Sequence, residues 1–191
     1  MGKASPNMTR LAKQIAASTE GGAGPDETQD ICGDFDIRIG RDGTWYYQNS
    51  PIGRKPLVKL FSSVLRRDDD GSYWLVTPVE KGRIEVEDAP FLAVRLAVAG
   101  IGRDQVLTLE TNLDEIVTVD TDHPIWVVVD PLSREPSPYV LVRDGLEARI
   151  NRAVYYELVE LGVEESIDGD HLYGVWSSGT FFPLGRVTEQ V

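Results

Sequence analysis

The chain has a single cysteine, Cys32, which excludes an intrachain disulfide and any metal site built from four thiolates. Long apolar runs are missing as well. The best of them, residues 91–101, is interrupted by Arg95 and falls well short of the roughly 20 residues a membrane helix needs. Residues 1–17 carry basic side chains but no apolar core of the secretory type, so a cytoplasmic location is expected and membrane insertion is not. The 191 residues contain no Gly-x-Ser-x-Gly elbow, no phosphate-loop Lys-Ser/Thr signature and no His-Glu-x-x-His pair. No catalytic residue is nominated, and the balance of the sequence is against an enzyme without closing the question.

Positive charge is also in short supply. Lys3, Arg10, Lys13 and Glu20 give the first 25 residues +2, so that with −12 overall the rest of the chain carries −14. A body this acidic repels the phosphate backbone, which clustered Lys and Arg must neutralise, so no extended nucleic-acid surface is expected. The hydrophobic share of 41% and the charged share of 26% are those of an ordinary globular protein with a core of its own.

What is present is alternation. Phe35, Ile37 and Ile39 alternate with Asp36, Arg38 and Gly40, the period of a half-buried strand. Arg41-Asp42-Gly43 supplies a hairpin turn to a returning strand, Thr44–Tyr47. Pro56 suits the first turn of a helix, and Leu57, Leu60, Phe61, Val64 and Leu65 continue it at helical spacing to a stop at Asp68-Asp69-Asp70-Gly71. A strand over Tyr73–Thr77 follows. The far end repeats this order: Val140 and Val142, the turn Arg143-Asp144-Gly145, a strand to Ile150, then Asn151 as N-cap of a helix with Val154, Tyr155, Leu158 and Leu161. Gly162 ends that helix, and Asp168-Gly169 precedes a strand over His171–Trp176. Two copies of one hairpin-helix-strand unit explain this order.

Between the copies, strands are expected at 83–87, 91–98, 105–111, 116–119 and 125–129. With the second hairpin they make seven strands followed by one helix, an order that resembles the pleckstrin-homology-like superfold. The expected class is α+β and β-rich, with an internally duplicated core and a pleckstrin-homology-like C-terminal domain. Residues 1–30 form an N-terminal tail, 31–82 the first repeat and 83–191 the second, with the boundary near Gly82. In the tail Thr9 caps a short helix bearing Leu11, Ile15 and Ala16, broken by Gly21-Gly22-Ala23-Gly24-Pro25, and its removal is expected to cost little stability.

Several motifs fail on spacing. With Gly71 or Gly169 as the sixth position of a calcium loop, Arg66 falls at the first position of one and Thr77 or Val175 at the twelfth, where carboxylates are required. Gly100-Ile101-Gly102 sits between two strands and reads as a hairpin turn. Asp120, Asp122 and His123 are the best metal cluster available, yet they read as a solvated turn, and no metal site is assigned. Cys32 has no basic neighbour to activate it.

One region stands out. Trp45, Tyr46, Tyr47, Gln48, Asn49 and Ser50 concentrate aromatic and amide groups, and Arg54 and Lys55 follow directly before a helix start. Cations beside a helix N-terminus can hold an anion. Lys81 and Arg83 can approach the same place, and Asn151 and Arg152 occupy the equivalent helix start in the second copy. Ordinary capping and surface ion pairs explain the same residues without a ligand. The candidate ligand-binding set is Trp45, Tyr47, Arg54, Lys55 and Lys81.

The stretches Ile39–Trp45, Pro51-Ile52-Gly53-Arg54, Leu57–Ser62, Thr77–Lys81, Val86–Phe91, His123-Pro124, Val142–Ala148 and Tyr155–Val159 resemble the uncharacterised bacterial domain-of-unknown-function family 1285, over residues 31–185. The resemblance implies a duplicated core, a pleckstrin-like C-terminal domain, a pocket at the domain interface, a nucleotide-like ligand and a signalling role. In that reading Trp45 and Tyr47 stack on a planar group while Arg54, Lys55 and Lys81 neutralise phosphate; the cofactor is unknown. A protein-interaction module without a ligand and an enzyme using Glu80, Asp88 or His123 are the alternatives.

Overall fold

Alternating and continuous apolar stretches put about half of the described residues into strands, and a computed structural model describes residues 6–19 and 30–187. The chain divides into two units, Met1–Asp88 and Ala89–Val191. The Gly21–Pro25 break lies outside the described residues, as does the side chain of Cys32. No described helix is long and apolar enough to cross a membrane.

The first unit holds α1 (Pro6–Thr19), β1 (Asp30–Ile39), β2 (Trp45–Tyr47), β3 (Ser50–Pro51), α2 (Lys55–Ser63), β4 (Leu65–Arg67), β5 (Tyr73–Val76) and β6 (Glu80–Val86). Its strands form one sheet in the order β3-β2-β1-β6-β5-β4, with β1 and β6 parallel at the centre. The expected hairpin forms: Ile39 pairs with Trp45 and Ile37 with Tyr47, and Gly43 takes the positive φ that the turn requires. Val58 and Phe61 on the apolar face of α2 are buried, as are Ile39, Trp45 and Leu75 of the sheet, and Phe61 packs against Trp45.

Three expectations are corrected here. Helix α2 stops at Ser63, because residues 65–67 pair with β5 and Asp68–Ser72 closes that hairpin through bonds from Asp68 N–H to Ser72 O and from Gly71 N–H to Asp68 O, both 2.9 Å. Leu65 is buried whether it ends a helix or begins a strand, so periodicity could not separate the two. Gly82 is not a boundary but lies mid-strand in β6, paired with Leu75. A Cβ there would lie 2.3 Å from the Phe35 ring, so glycine answers a close approach. The terminal segment also docks. Helix α1 begins ahead of Thr9, and Leu11 and Ile15 are 5% and 1% exposed, two burials worth about 1.5–3 kcal/mol each.

The second unit holds β7 (Phe91–Ala99), a 3-10 turn (Gly102–Asp104), β8 (Val106–Thr111), β9 (Ile116–Thr118), β10 (Ile125–Val129), β11 (Pro136–Arg143), β12 (Leu146–Ile150), α3 (Arg152–Glu160), β13 (Val163–Ile167), β14 (Asp170–Ser177) and β15 (Thr180–Arg186). Its larger sheet runs β10-β11-β12-β7-β8-β9, with β7 and β12 parallel, and β13-β14-β15 form a second sheet. Buried hydroxyl and amide groups tie the two sheets together. Ser177 Oγ donates to Val119 O at 2.6 Å and accepts from Leu107 N–H at 2.9 Å, and Gln105 Nε2 donates to Trp176 O at 2.7 Å.

Six strands precede α3 in this unit and three follow it, where seven strands and a terminal helix were expected. The sequence reading passed over β13 because its acidic residues are largely exposed, and β15 because Pro183 and Gly185 interrupt it. Pro183 is tolerated there because β15 pairs only with β14 in its three-stranded sheet. The molecule is thus α+β and rich in strands. Both units run hairpin, helix, three strands; in the first the last strand returns to the sheet beside β1, and in the second the three make a sheet of their own.

Candidate functional site

A parallel pair normally advances one residue for one, and β1 against β6 does not. Asp34 pairs with Arg83 and Arg38 with Glu85, so β1 spends four steps where β6 spends two. The surplus residues bulge out, and Asp36 takes φ 52°, a conformation that aspartate tolerates better than most side chains. Its carbonyl accepts from Gln48 N–H at 2.9 Å, one position beyond the β1–β2 pairing. Gln48 and Asn49, in the tight turn between β2 and β3, are themselves at φ 47° and 63°.

Over this bulge lies a cleft of about 560 Å³ lined by Asp34, Asp36, Arg38, Gln48, Asn49, Ser72, Arg83 and Glu85 around Ile37, Tyr73 and Ile84. Its charges are mixed. Arg38 is anchored by an ion pair with Glu87 and by the Tyr46 ring, 4.2 Å from the guanidinium. Asp34, Asp36, Arg83 and Glu85 make no side-chain hydrogen bond or ion pair among the described residues. A smaller cavity of about 190 Å³ under α1 shares Asp34, Asp36, Ile37 and Gln48 with the cleft, so the bulge is the wall between them. Glu80, buried at its edge, is held by Arg10 at 3.2 Å. Non-glycine residues held at positive φ cluster at ligand clamps, and bulges re-aim side chains beside sites.

The five residues expected to bind a ligand are not brought into this cleft. Trp45 is 1% exposed and packs on Phe61, ring centres 6.4 Å apart, so neither face is open for stacking; its register opposite Ile39 turns it inward. Tyr47 is half-buried in the smaller cavity. Lys81 Nζ is committed to Asp68 at 2.8 Å and to the Trp74 ring at 4.5 Å. Arg54 and Lys55 are exposed at the start of α2, where Arg54 caps without a side-chain bond. The amides that an anion needs are spent: Pro56 has none, and the N–H groups of Leu57 and Val58 both bond Arg54 O, at 2.9 and 3.2 Å. In the second unit Asn151 Oδ1 accepts from Val154 N–H at 2.8 Å, the expected cap, and Arg152 donates to Tyr156 Oη.

Of the residues considered for an enzyme, Asp88 and Glu80 belong to the first unit and His123 to the second. Asp120 Oδ1 accepts from the N–H groups of Asp122 and His123, at 3.0 and 2.8 Å, and meets His123 Nδ1 at 3.1 Å, which closes a turn. The residues that the sequence reading missed are Asp34, Asp36 and Glu85. Their only signal was a run of charges, Asp34, Asp36 and Arg38, on the outward positions of a regular strand.

Two family models match the chain in tandem. That for the N-terminal domain of DUF1285, a domain of unknown function, matches residues 28–89, and that for the C-terminal domain of the same family matches residues 90–184. Their junction falls within one residue of the place where the two units part. A DUF1285 family protein from Silicibacter pomeroyi DSS-3, known from its crystal structure, is 44% identical, with 96% of this chain and 97% of that chain covered and a TM-score of 0.81. A second, from Shewanella baltica OS155, is 32% identical over 65% of this chain and 90% of that chain, with a TM-score of 0.52. No curated protein matches.

Proposed function

The chain belongs to the DUF1285 family, and from that premise we propose that it binds a small polar ligand in the cleft over the β1 bulge and serves as a cytoplasmic regulatory protein. One observation carries the reading: four exposed charged side chains that make no hydrogen bond or ion pair among the described residues line one cleft, beside three non-glycine residues held at positive φ. The volume, about 560 Å³, suits a metabolite of nucleotide size. Arg83, with Arg38 behind it, supplies charge and a planar fork for a phosphate or carboxylate, while Asp34, Asp36 and Glu85 accept from hydroxyl or amino groups. An anionic, nucleotide-like ligand meets both demands.

The same reading takes the two units as duplicates of one hairpin-helix-strand ancestor and the second as a pleckstrin-homology-like variant. The shared element order supports this, and so do the matching Asp-Gly turns, with Gly43, Gly71, Gly145 and Gly169 all at positive φ.

The test is a thermal-shift screen of nucleotides and small anionic metabolites on the wild type, Arg83→Ala, and the double variant Arg54→Ala, Lys55→Ala. A ligand at one hundred times its Kd stabilises the folded state by about 2.7 kcal/mol, which for a chain of this size raises the midpoint by roughly 5–10 °C. A compound that stabilises the wild type and the double variant but not Arg83→Ala supports the cleft. Loss in the double variant alone moves the site to the start of α2. A screen without any hit abandons the ligand in favour of an interaction module.

A further inference from the structure

A second concavity in the first unit has the opposite chemistry. A groove of about 280 Å³ lies between α1 and α2, walled by Met8 and Ala12 from one helix and by Pro56, Leu57 and Leu60 around the start of the other. Its lining contains a single charged residue, Arg54, and no carboxylate. Among the described residues the Arg54 side chain has no hydrogen bond and no ion pair, although the body of the chain is strongly acidic. A cation without a hydrogen bond or ion pair, set against hydrocarbon walls, matches a ligand that brings an alkyl tail and an anionic head.

The geometry points to a straight-chain alkyl carboxylate as the occupant of this groove, with its methylenes along Leu57 and Leu60 and its carboxylate on the Arg54 guanidinium. The guanidinium fork takes a carboxylate through two parallel bonds, and its charge is matched one for one. A volume of about 280 Å³ holds about nine groups the size of a water molecule, which sets a medium chain of about eight to ten carbons. A nucleotide does not fit the same walls, because Thr9 is the only polar neutral side chain among them. The inference is independent of the cleft over β1, which shares no residue with this groove except through Met8 of the smaller cavity.

Titration calorimetry of the full chain with hexanoate, octanoate, decanoate and dodecanoate, each below its micellar concentration, tests it, with decanol as the headless control. Affinity is expected to rise about fourfold per added methylene until the groove is full and then to level off. Arg54→Gln should weaken decanoate by about tenfold or more and leave decanol unchanged. Ala12→Phe, which fills the groove from α1, should abolish binding of both. Arg54 is exposed, so the glutamine variant keeps the fold and its result stands even if Ala12→Phe does not fold. Absence of heat with decanoate at two well-separated temperatures overturns the proposal, as does equal decanoate affinity in wild type and Arg54→Gln, or decanoate bound unchanged by a folded Ala12→Phe.

Discussion

Each of the two larger sheets has a parallel pair at its centre, and the pairs are built differently. In the second unit Phe91, Leu92 and Ala93 face Ala148, Arg149 and Ile150 one for one. In the first, β1 slips twice against β6 between Ile31 and Arg38. The side chains account for the contrast. Phe91, Ala93, Ala148 and Ile150 are at most 1% exposed, and a slip of one residue would turn all of them out of the core. Asp34 and Asp36 are exposed charges that lose nothing by leaving the ladder, while Ile37 and Ile39 re-enter the core beyond them. Register is enforced where burial enforces it, and a strand acquires the freedom to form a cleft where its residues are charged.

The largest expected effect tests the rigid side of this contrast. Phe91→Ala should cost about 3–5 kcal/mol in denaturant unfolding of the second unit, whereas Asp34→Ala in the bulge should stay within about 0.5 kcal/mol. Losses of similar size would mean that the bulge is as firmly packed as the regular pair. A smaller effect, of the opposite sign, tests the bulge. Asp36 sits at φ 52°, so Asp36→Gly should raise stability by about 0.5–1 kcal/mol as glycine relieves the left-handed backbone. Leu92→Gly, at the corresponding place in β7, should instead lower it. Destabilisation by both would show that the bulge stores no strain.

The smallest effect lies on the acid side. In the second unit the Trp176 Nε1–H and the Arg103 guanidinium, each bonded to Glu165, hold its carboxyl below the ordinary carboxylate range. In the first, the backbone N–H and hydroxyl of Thr44 do the same for Asp42 in the hairpin turn. A carboxyl depressed on folding contributes stability that is present above its unfolded value and lost as pH falls through the folded one. Trp176→Phe should therefore flatten the acid limb of the second unit's stability curve, and Thr44→Val that of the first. An unchanged limb in either variant would show that its carboxylate is held by something else.

Much of the fold was legible in the sequence. Alternation located β1, apolar stretches located β7, β8 and β10, the Arg-Asp-Gly triplets located both hairpins, and Asn151 announced the cap of α3, because each of these signals is local. The candidate site was legible only in part. Gln48 and Asn49 drew notice as amides and Arg83 as a cation, but Trp45 read as a stacking surface. Whether an aromatic side chain lines a pocket or fills a core depends on what packs above it, here Phe61. By itself the sequence determined most of the strands, the hairpin turns and the acidic charge balance, since composition and short-range pattern are sufficient for these. Only the tertiary structure decided that Gly82 is a packing position, that α1 docks, and that β1 slips over β6 to open a cleft. Each of those outcomes rests on a partner far away in the chain, and side-chain periodicity along one strand carries no information about its neighbour's register.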